Sequence, residues 1–280
     1  MSAADPATAR RSVADPAGAG AAGALEEHLR ARRDAGQKLL VVYITGGMSP
    51  DWLEAVQAAV HAGADAVEVG IPFSDPMIDG PVIQEASVRA LGAGTTPRAL
   101  LRDLAHTEVG APVAVMTYYN VAFRAGHRRF AQALREAGVV GAIVPDLPLE
   151  ESGDWRAEAA AAGVDAVQLV APSTPDARAR AICDASRGFV YGVGVMGVTG
   201  ERAALAATAR TLAARLRSMT ERPVCIGIGV STPEQAAEAC VEADGVVVGS
   251  ALVRRLLDGG GPDGAASFVA ALRAGIDGRP

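Results

Sequence analysis

Glu68 stands between Val67 and Val69 in an apolar run covering 65–70. A carboxyl among valines is costly to bury without a use. The stretch that follows, 71–81, is shaped by prolines and a glycine and carries two more acids, Asp75 and Asp79. Carboxyls held in unlike environments can divide acid and base roles between them. Three readings compete with chemistry here: a structural ion pair inside the fold for Glu68, a loop hydrogen-bond cap for Asp75, and a helix N-cap before Pro81 for Asp79. A second signal lies late in the chain, where glycines recur in Gly197-Val198-Thr199-Gly200, in Gly227-Ile228-Gly229 and in Gly249-Ser250. Glycine lets a backbone approach an anion closely and leaves its N–H unobstructed. Ser250 is placed to cap a short helix from Ala251 whose dipole favours negative charge. Tight turns are the alternative for each glycine. Three such motifs in succession point to a phosphate site.

Eight short apolar runs carry these residues: 39–45, 65–70, 112–117, 141–145, 165–170, 188–193, 223–227 and 244–249. Continuous apolar runs suit parallel strands covered on both faces. Helical patterns separate them at 51–62, 95–106, 127–137, 150–162, 174–185, 202–219, 233–242 and 265–274, the first with Ser49-Pro50 as N-cap and first turn. Gly63, Gly138 and Gly163 end three of these helices. Two extra short helices are expected, one over 25–33 closing the bottom of the fold and one over 82–91 in the loop after the second strand. The alternation predicts a single-domain α/β fold, a (β/α)8 or TIM barrel spanning 25–280, close to the ~250 residues typical of that architecture. A doubly wound sheet fits less well, because Thr45-Gly46-Gly47-Met48 lacks the G-x-G-x-x-G spacing. Residues 1–24, rich in Ala, Gly, Pro and Asp, read as a disordered tail without the apolar stretch of a signal peptide.

In a (β/α)8 barrel, function gathers at the C-terminal ends of the strands, and a phosphate site recurs in the loops after strands seven and eight. Candidate substrate-binding side chains at those ends are Tyr43 and Thr45 on the first strand, Tyr118 after the third and Tyr191 on the sixth, with Thr199 in the loop beyond it. Packing is the alternative for each. His28, His61, His106 and His127 all fall on expected helices, and no metal-ligand cluster is visible. The net charge of −6 argues against nucleic acid or an anionic membrane as the main partner. It also requires that a phosphate be met by main-chain N–H groups rather than by a basic surface. No apolar run reaches the ~18 residues of a membrane span. Cys183, Cys225 and Cys240 show no C-x-x-C spacing and read as buried thiols in a reducing, cytoplasmic compartment.

The sequence resembles the tryptophan synthase alpha chain family over about residues 39–255. The resemblance rests on Gly63-Ala64-Asp65-Ala66-Val67-Glu68-Val69-Gly70-Ile71-Pro72-Phe73-Ser74-Asp75-Pro76, on Asp79-Gly80-Pro81-Val82-Ile83-Gln84, and on Tyr118-Tyr119-Asn120. Val144-Pro145-Asp146-Leu147-Pro148, Gly197-Val198-Thr199-Gly200 and Gly249-Ser250 match as well. It implies cleavage of indole-3-glycerol phosphate to indole and glyceraldehyde 3-phosphate. Glu68 would be the acid/base and Asp79 the second catalytic carboxylate. Gly200, Gly229, Gly249 and Ser250 would hold the phosphate, and Tyr191 would line the site. The family has no cofactor of its own and pairs with a pyridoxal-phosphate beta chain that receives the indole through a tunnel, as an alpha2-beta2 tetramer.

The residues suit that chemistry. A retro-aldol cleavage needs a proton delivered to indole C3 and another removed from the side-chain hydroxyl. A carboxyl kept protonated by burial can do the first. A carboxylate accepting the indole N–H, Asp79, stabilises the charge that builds on the ring. Closure of the loops after strands two and six, bridged by Thr199, would exclude water. The chain departs from the family pattern at Gly194-Val195-Met196, Met77-Ile78, Val121 and Gly47-Met48-Ser49-Pro50, changes that bear on loop closure and partner docking. Three other readings share parts of the pattern: a free-standing lyase acting without a beta chain, a weakly active activator of a beta subunit, and an isomerase on a related phosphate-binding barrel.

Overall fold

The computed structural model describes residues 22–194, 202–227 and 229–278. Eight parallel strands close into a barrel: β1 (Leu39–Thr45), β2 (Ala66–Gly70), β3 (Val113–Met116), β4 (Val139–Ile143), β5 (Asp165–Val170), β6 (Val190–Val193), β7 (Val224–Gly227) and β8 (Gly245–Val248), with β8 paired back onto β1. The helices are α1 (Ala24–Asp34), α2 (Trp52–His61), α3 (Pro81–Gly92), α4 (Pro97–Ala105), α5 (Tyr119–Ala125), α6 (His127–Glu136), α7 (Gly153–Ala161), α8 (Asp176–Ala185), α9 (Arg202–Arg217), α10 (Pro233–Ala239), α11 (Ser250–Leu257) and α12 (Gly261–Ile276). The expected TIM barrel, with a short helix below it and another in the loop after β2, is what forms. Gly63, Gly138 and Gly163 all take positive φ at helix ends, as the sequence suggests.

Two packed layers hold the barrel. Between strands and helices lies a continuous apolar layer that includes Trp52, Leu100, Leu134, Trp155 and Leu252. Inside the barrel, Leu39, Val41, Ala66, Ala114, Ile143, Val167, Phe189 and Val247 fill the lower half, and Leu25 and Leu29 of α1 plug it from below. Each fully buried aliphatic side chain of this kind contributes about 1.5–3 kcal/mol. The plug is held by polar contacts at the starts of strands. Asp165 Oδ2 accepts the Glu26 N–H near the start of α1 at 3.0 Å. In the same layer Asp65 Oδ2 accepts from Leu40 N at 2.7 Å and Asp244 Oδ2 from Val224 N at 2.9 Å. Arg32 and Arg273 also pair with Asp65, and Arg217 with Asp244, so these aspartates are held by backbone and by arginines.

Several boundaries differ from the sequence expectation for identifiable reasons. Strand β4 starts two residues earlier than expected, because Gly138 at φ 74° turns the chain directly into Val139. Helix α5 carries no local start signal. Its first N–H, on Tyr119, is instead accepted at 2.8 Å by Asp146 Oδ1 from the loop after β4. Helix α2 begins at Trp52 with Asp51 as N-cap, so Ser49-Pro50 is the preceding turn and not the cap. The N-cap of α11 is Gly249, and Ser250 is the first helical residue with no capping bond. The N-cap of α3 is Gly80, so Asp79 does not serve as one.

Substitution Asp165→Ala orphans the N–H it accepts and loosens the plug. The expected result is a loss of about 1–2 kcal/mol, measured by urea unfolding, with the mouth of the barrel unaffected.

Candidate active site

Strand β2 brings Glu68 into the barrel interior, level with Tyr43 on β1 and Ala114 on β3. Its side chain is enclosed, at 1% exposure, and Oε2 has no hydrogen-bond partner among the described residues. No ion pair to Glu68 forms among them either, so the structural ion-pair reading has no support. Burial first, and the neighbouring Asp79 charge second, push its pKa up to about 8. At neutral pH Glu68 is therefore a neutral acid with an uncommitted oxygen.

Asp79 arrives from the loop between β2 and α3. The Tyr118 hydroxyl donates to Asp79 Oδ2 at 3.1 Å and itself accepts from Ile78 N at 3.0 Å. Phe73 stacks on the Tyr118 ring with centroids 4.8 Å apart, which fixes that hydroxyl. Burial raises the pKa of Asp79, and the Tyr118 bond opposes the rise. Asp75 is exposed and accepts from Ser74 Oγ at 2.6 Å.

Tyr43 is buried beside Glu68, and its hydroxyl accepts from Thr45 Oγ1 at 3.2 Å. That hydroxyl occupies the space above Gly70, where a Cβ would lie 1.9 Å from it, so only glycine fits there. Tyr191 on β6 packs against Phe189 with centroids 5.7 Å apart. Burial holds both phenols, Tyr43 and Tyr191, in the neutral form.

Across the mouth, β7 ends at Gly227, and β8 leads through Gly249 into α11. Gly229 has φ 73°, a left-handed turn that aims main chain at the opening. One cavity of about 700 Å3 is bordered by Glu68, Asp79, Tyr43 and Tyr191 and also by Gly229, Gly249 and Ser250. The first N–H groups of α11 lack helical acceptors, so this side suits an anion. Arg178 is the one cation among the described lining residues, and Glu150 engages it through Oε1 and, at 2.9 Å, through Oε2. An anion entering here would meet main chain, in keeping with the acidic composition.

Thr45 and Tyr118 stand behind the lining and act on it through Tyr43 and Asp79. Thr199 and Gly200 lie outside the described residues. Sequence reading missed the apolar wall of Met116, Leu169 and Val247. Inward alternation along β3, β5 and β8 would have found it. Gln84 enters the sequence reading only as the end of the Asp79–Gln84 motif, without a role; its side-chain amide donates to Asp79 O at 2.9 Å. Among the described residues no group of His, Cys, Asp and Glu could hold a metal ion.

The pKa of Glu68 has a stability consequence. Below its ordinary value of 4.5 both folded and unfolded chains hold the proton. Between 4.5 and about 8 the unfolded chain releases it while the folded chain keeps it, so stability falls as pH rises and levels off above about 8. Glu68→Gln removes this penalty. Its unfolding stability relative to the parent should climb across that window, by up to ~1.4 kcal/mol per pH unit, and then stay flat. A difference independent of pH would contradict the raised value.

Sequence and fold both have close relatives. The family described as Tryptophan synthase alpha chain matches residues 29–272. The tryptophan synthase alpha chain of Streptomyces coelicolor is 45% identical over 263 residues, covering 91% of this chain and 97% of that one. That of Thermobifida fusca is also 45% identical over 263 residues, covering 90% and 97%. Among solved structures, Mycobacterium tuberculosis tryptophan synthase superposes with a TM-score of 0.84 at 38% identity, covering 91% of this chain and 98% of that one. The alpha subunit from Legionella pneumophila gives 0.83 at 29% identity, covering 92% of this chain and 100% of that one. With a closed barrel and a buried glutamate facing main-chain amides across its mouth, this chain belongs to the tryptophan synthase alpha chain family.

Proposed function

We propose that this chain is a lyase of tryptophan biosynthesis that cleaves indole-3-glycerol phosphate to indole and glyceraldehyde 3-phosphate. The observation that carries this reading is the neutral, unpartnered carboxyl of Glu68 inside the cavity that Gly229, Gly249 and Ser250 border. The main-chain amides of that border take the phosphate. The indole ring lies against Met116, Leu169, Val247, Tyr43 and Tyr191.

Glu68 delivers its proton to indole C3, and Asp79 accepts the indole N–H, drawing off the positive charge that grows on the ring. The carbinol O–H then loses its proton, its electrons form the aldehyde carbonyl, and the carbon–carbon bond breaks with its pair returning to the indole. One proton enters and one leaves, and the Glu68 carboxylate left by the first step is restored by the second. The sum needs no redox or group-carrying cofactor. Pyridoxal phosphate belongs to the partner.

That partner is a tryptophan synthase beta chain, in an alpha2-beta2 assembly. The loop that carries Asp79 also exposes Met77 (90%) and Ile78 (52%), so a protein docked on these apolar side chains would press directly on the catalytic loop. A cytoplasmic location suits three buried, unpaired cysteines.

Indole release from indole-3-glycerol phosphate tests the reading. Glu68→Gln and Asp79→Asn should each lower it by about 100-fold or more, and added beta chain should raise the activity of the parent. Activity that is high alone and indifferent to a beta chain would make this a free-standing lyase. Beta-chain stimulation without indole release would make it an activator.

A further inference from the structure

The loop from β2 to α3 must hold a catalytic carboxylate steady while four of its residues face solvent. Ser74, Asp75, Met77 and Ile78 are all exposed. Its last ladder contact is the Ile71 N–H to Met116 O, at 2.9 Å. Between there and α3 its backbone-to-backbone bonds among the described residues are local, Met77 N to Asp75 O and Asp79 N to Pro76 O. Two side chains tie the loop to its surroundings. Tyr118, on the barrel side, takes the Ile78 N–H and the Asp79 carboxylate. Gln84, on the solvent side, sends its amide to Asp79 O at 2.9 Å and to Pro76 O at 3.4 Å.

Those two carbonyls are the ends of the single turn that presents Asp79. A glutamine in the first turn of a helix commonly accepts from a free backbone N–H. Here the same side chain donates backward instead, and its two N–H bonds span the turn and anchor it to a rigid helix. We propose Gln84 as a positioning residue for the reaction, acting through Asp79 by clamping the Pro76–Asp79 turn against α3. This rests on the reading of Asp79 as acceptor of the indole N–H. The arrangement needs a donor: a glutamate of equal length would set its oxygens against two carbonyls and add charge beside Asp79.

The test uses Gln84→Met, which keeps length and helix propensity but removes both donors, with Gln84→Glu as the harsher variant. Each is compared with the parent and with Asp79→Asn in the full chain. Gln84→Met should lower kcat on the order of tenfold, the scale of one or two neutral hydrogen bonds, with KM little changed and an unaltered thermal midpoint. The readout that separates positioning from mere structure is ring discrimination. The parent should bind indole more tightly than 1-methylindole, which has no N–H to offer Asp79, and Gln84→Met should erode that preference as Asp79→Asn does. If Asp79→Asn abolishes the preference while Gln84→Met leaves both it and kcat intact, the assignment of Gln84 is overturned and the role of Asp79 stands. If Asp79→Asn leaves the preference intact, the role of Asp79 falls and the assignment of Gln84 falls with it.

Discussion

The structure turns on a carboxyl that has been taken out of water and given nothing in return. Glu68 is enclosed by the barrel, with one oxygen unpaired and no cation beside it among the described residues. Burying a charge in that way is costly enough that the group keeps its proton instead. The rest of the molecule can be understood as what makes such a residue tolerable and useful. The lower barrel supplies dense apolar packing, and its aspartates are bonded to backbone and paired with arginines. The upper barrel is left open, so the unpaired oxygen of Glu68 lies beside a cavity and not a wall.

Opposite this acid, the border proposed for the phosphate has no free cation among the described residues. That choice has an electrostatic logic. A lysine or arginine bordering the same cavity would favour the ionised form of Glu68 and undo the acid. Main-chain N–H groups at the start of α11 and in the Gly229 turn are neutral dipoles, which attract an anion when one is present and perturb the glutamate less. The same reasoning explains why Arg178, the cation that does border the cavity, is engaged by Glu150.

Much of this was legible in the sequence, because it depends on local pattern. Eight apolar runs with amphipathic stretches between them gave the barrel, and a glutamate between valines stood out on its own strand. What sequence could not show depends on long-range contact. Helix α5 exists because Asp146, distant in sequence, completes its first turn. Tyr118 looks like a substrate contact in sequence, yet its hydroxyl is spent on Asp79 and Ile78. Ser250 has the composition of a cap, but the bend of the chain at Gly249 places it one residue inside the helix. Gly70 carries no signal that a tyrosine hydroxyl from β1 will occupy the space above it.

The most direct test is to titrate Glu68 itself by infrared difference spectroscopy, subtracting Glu68→Gln from the parent and following the carboxylic acid C=O band with pH. The account expects the band to persist through neutral pH and to fade around pH 8. A band already lost near pH 4.5 would mean an ionised glutamate and would remove the proton donor on which the mechanism depends.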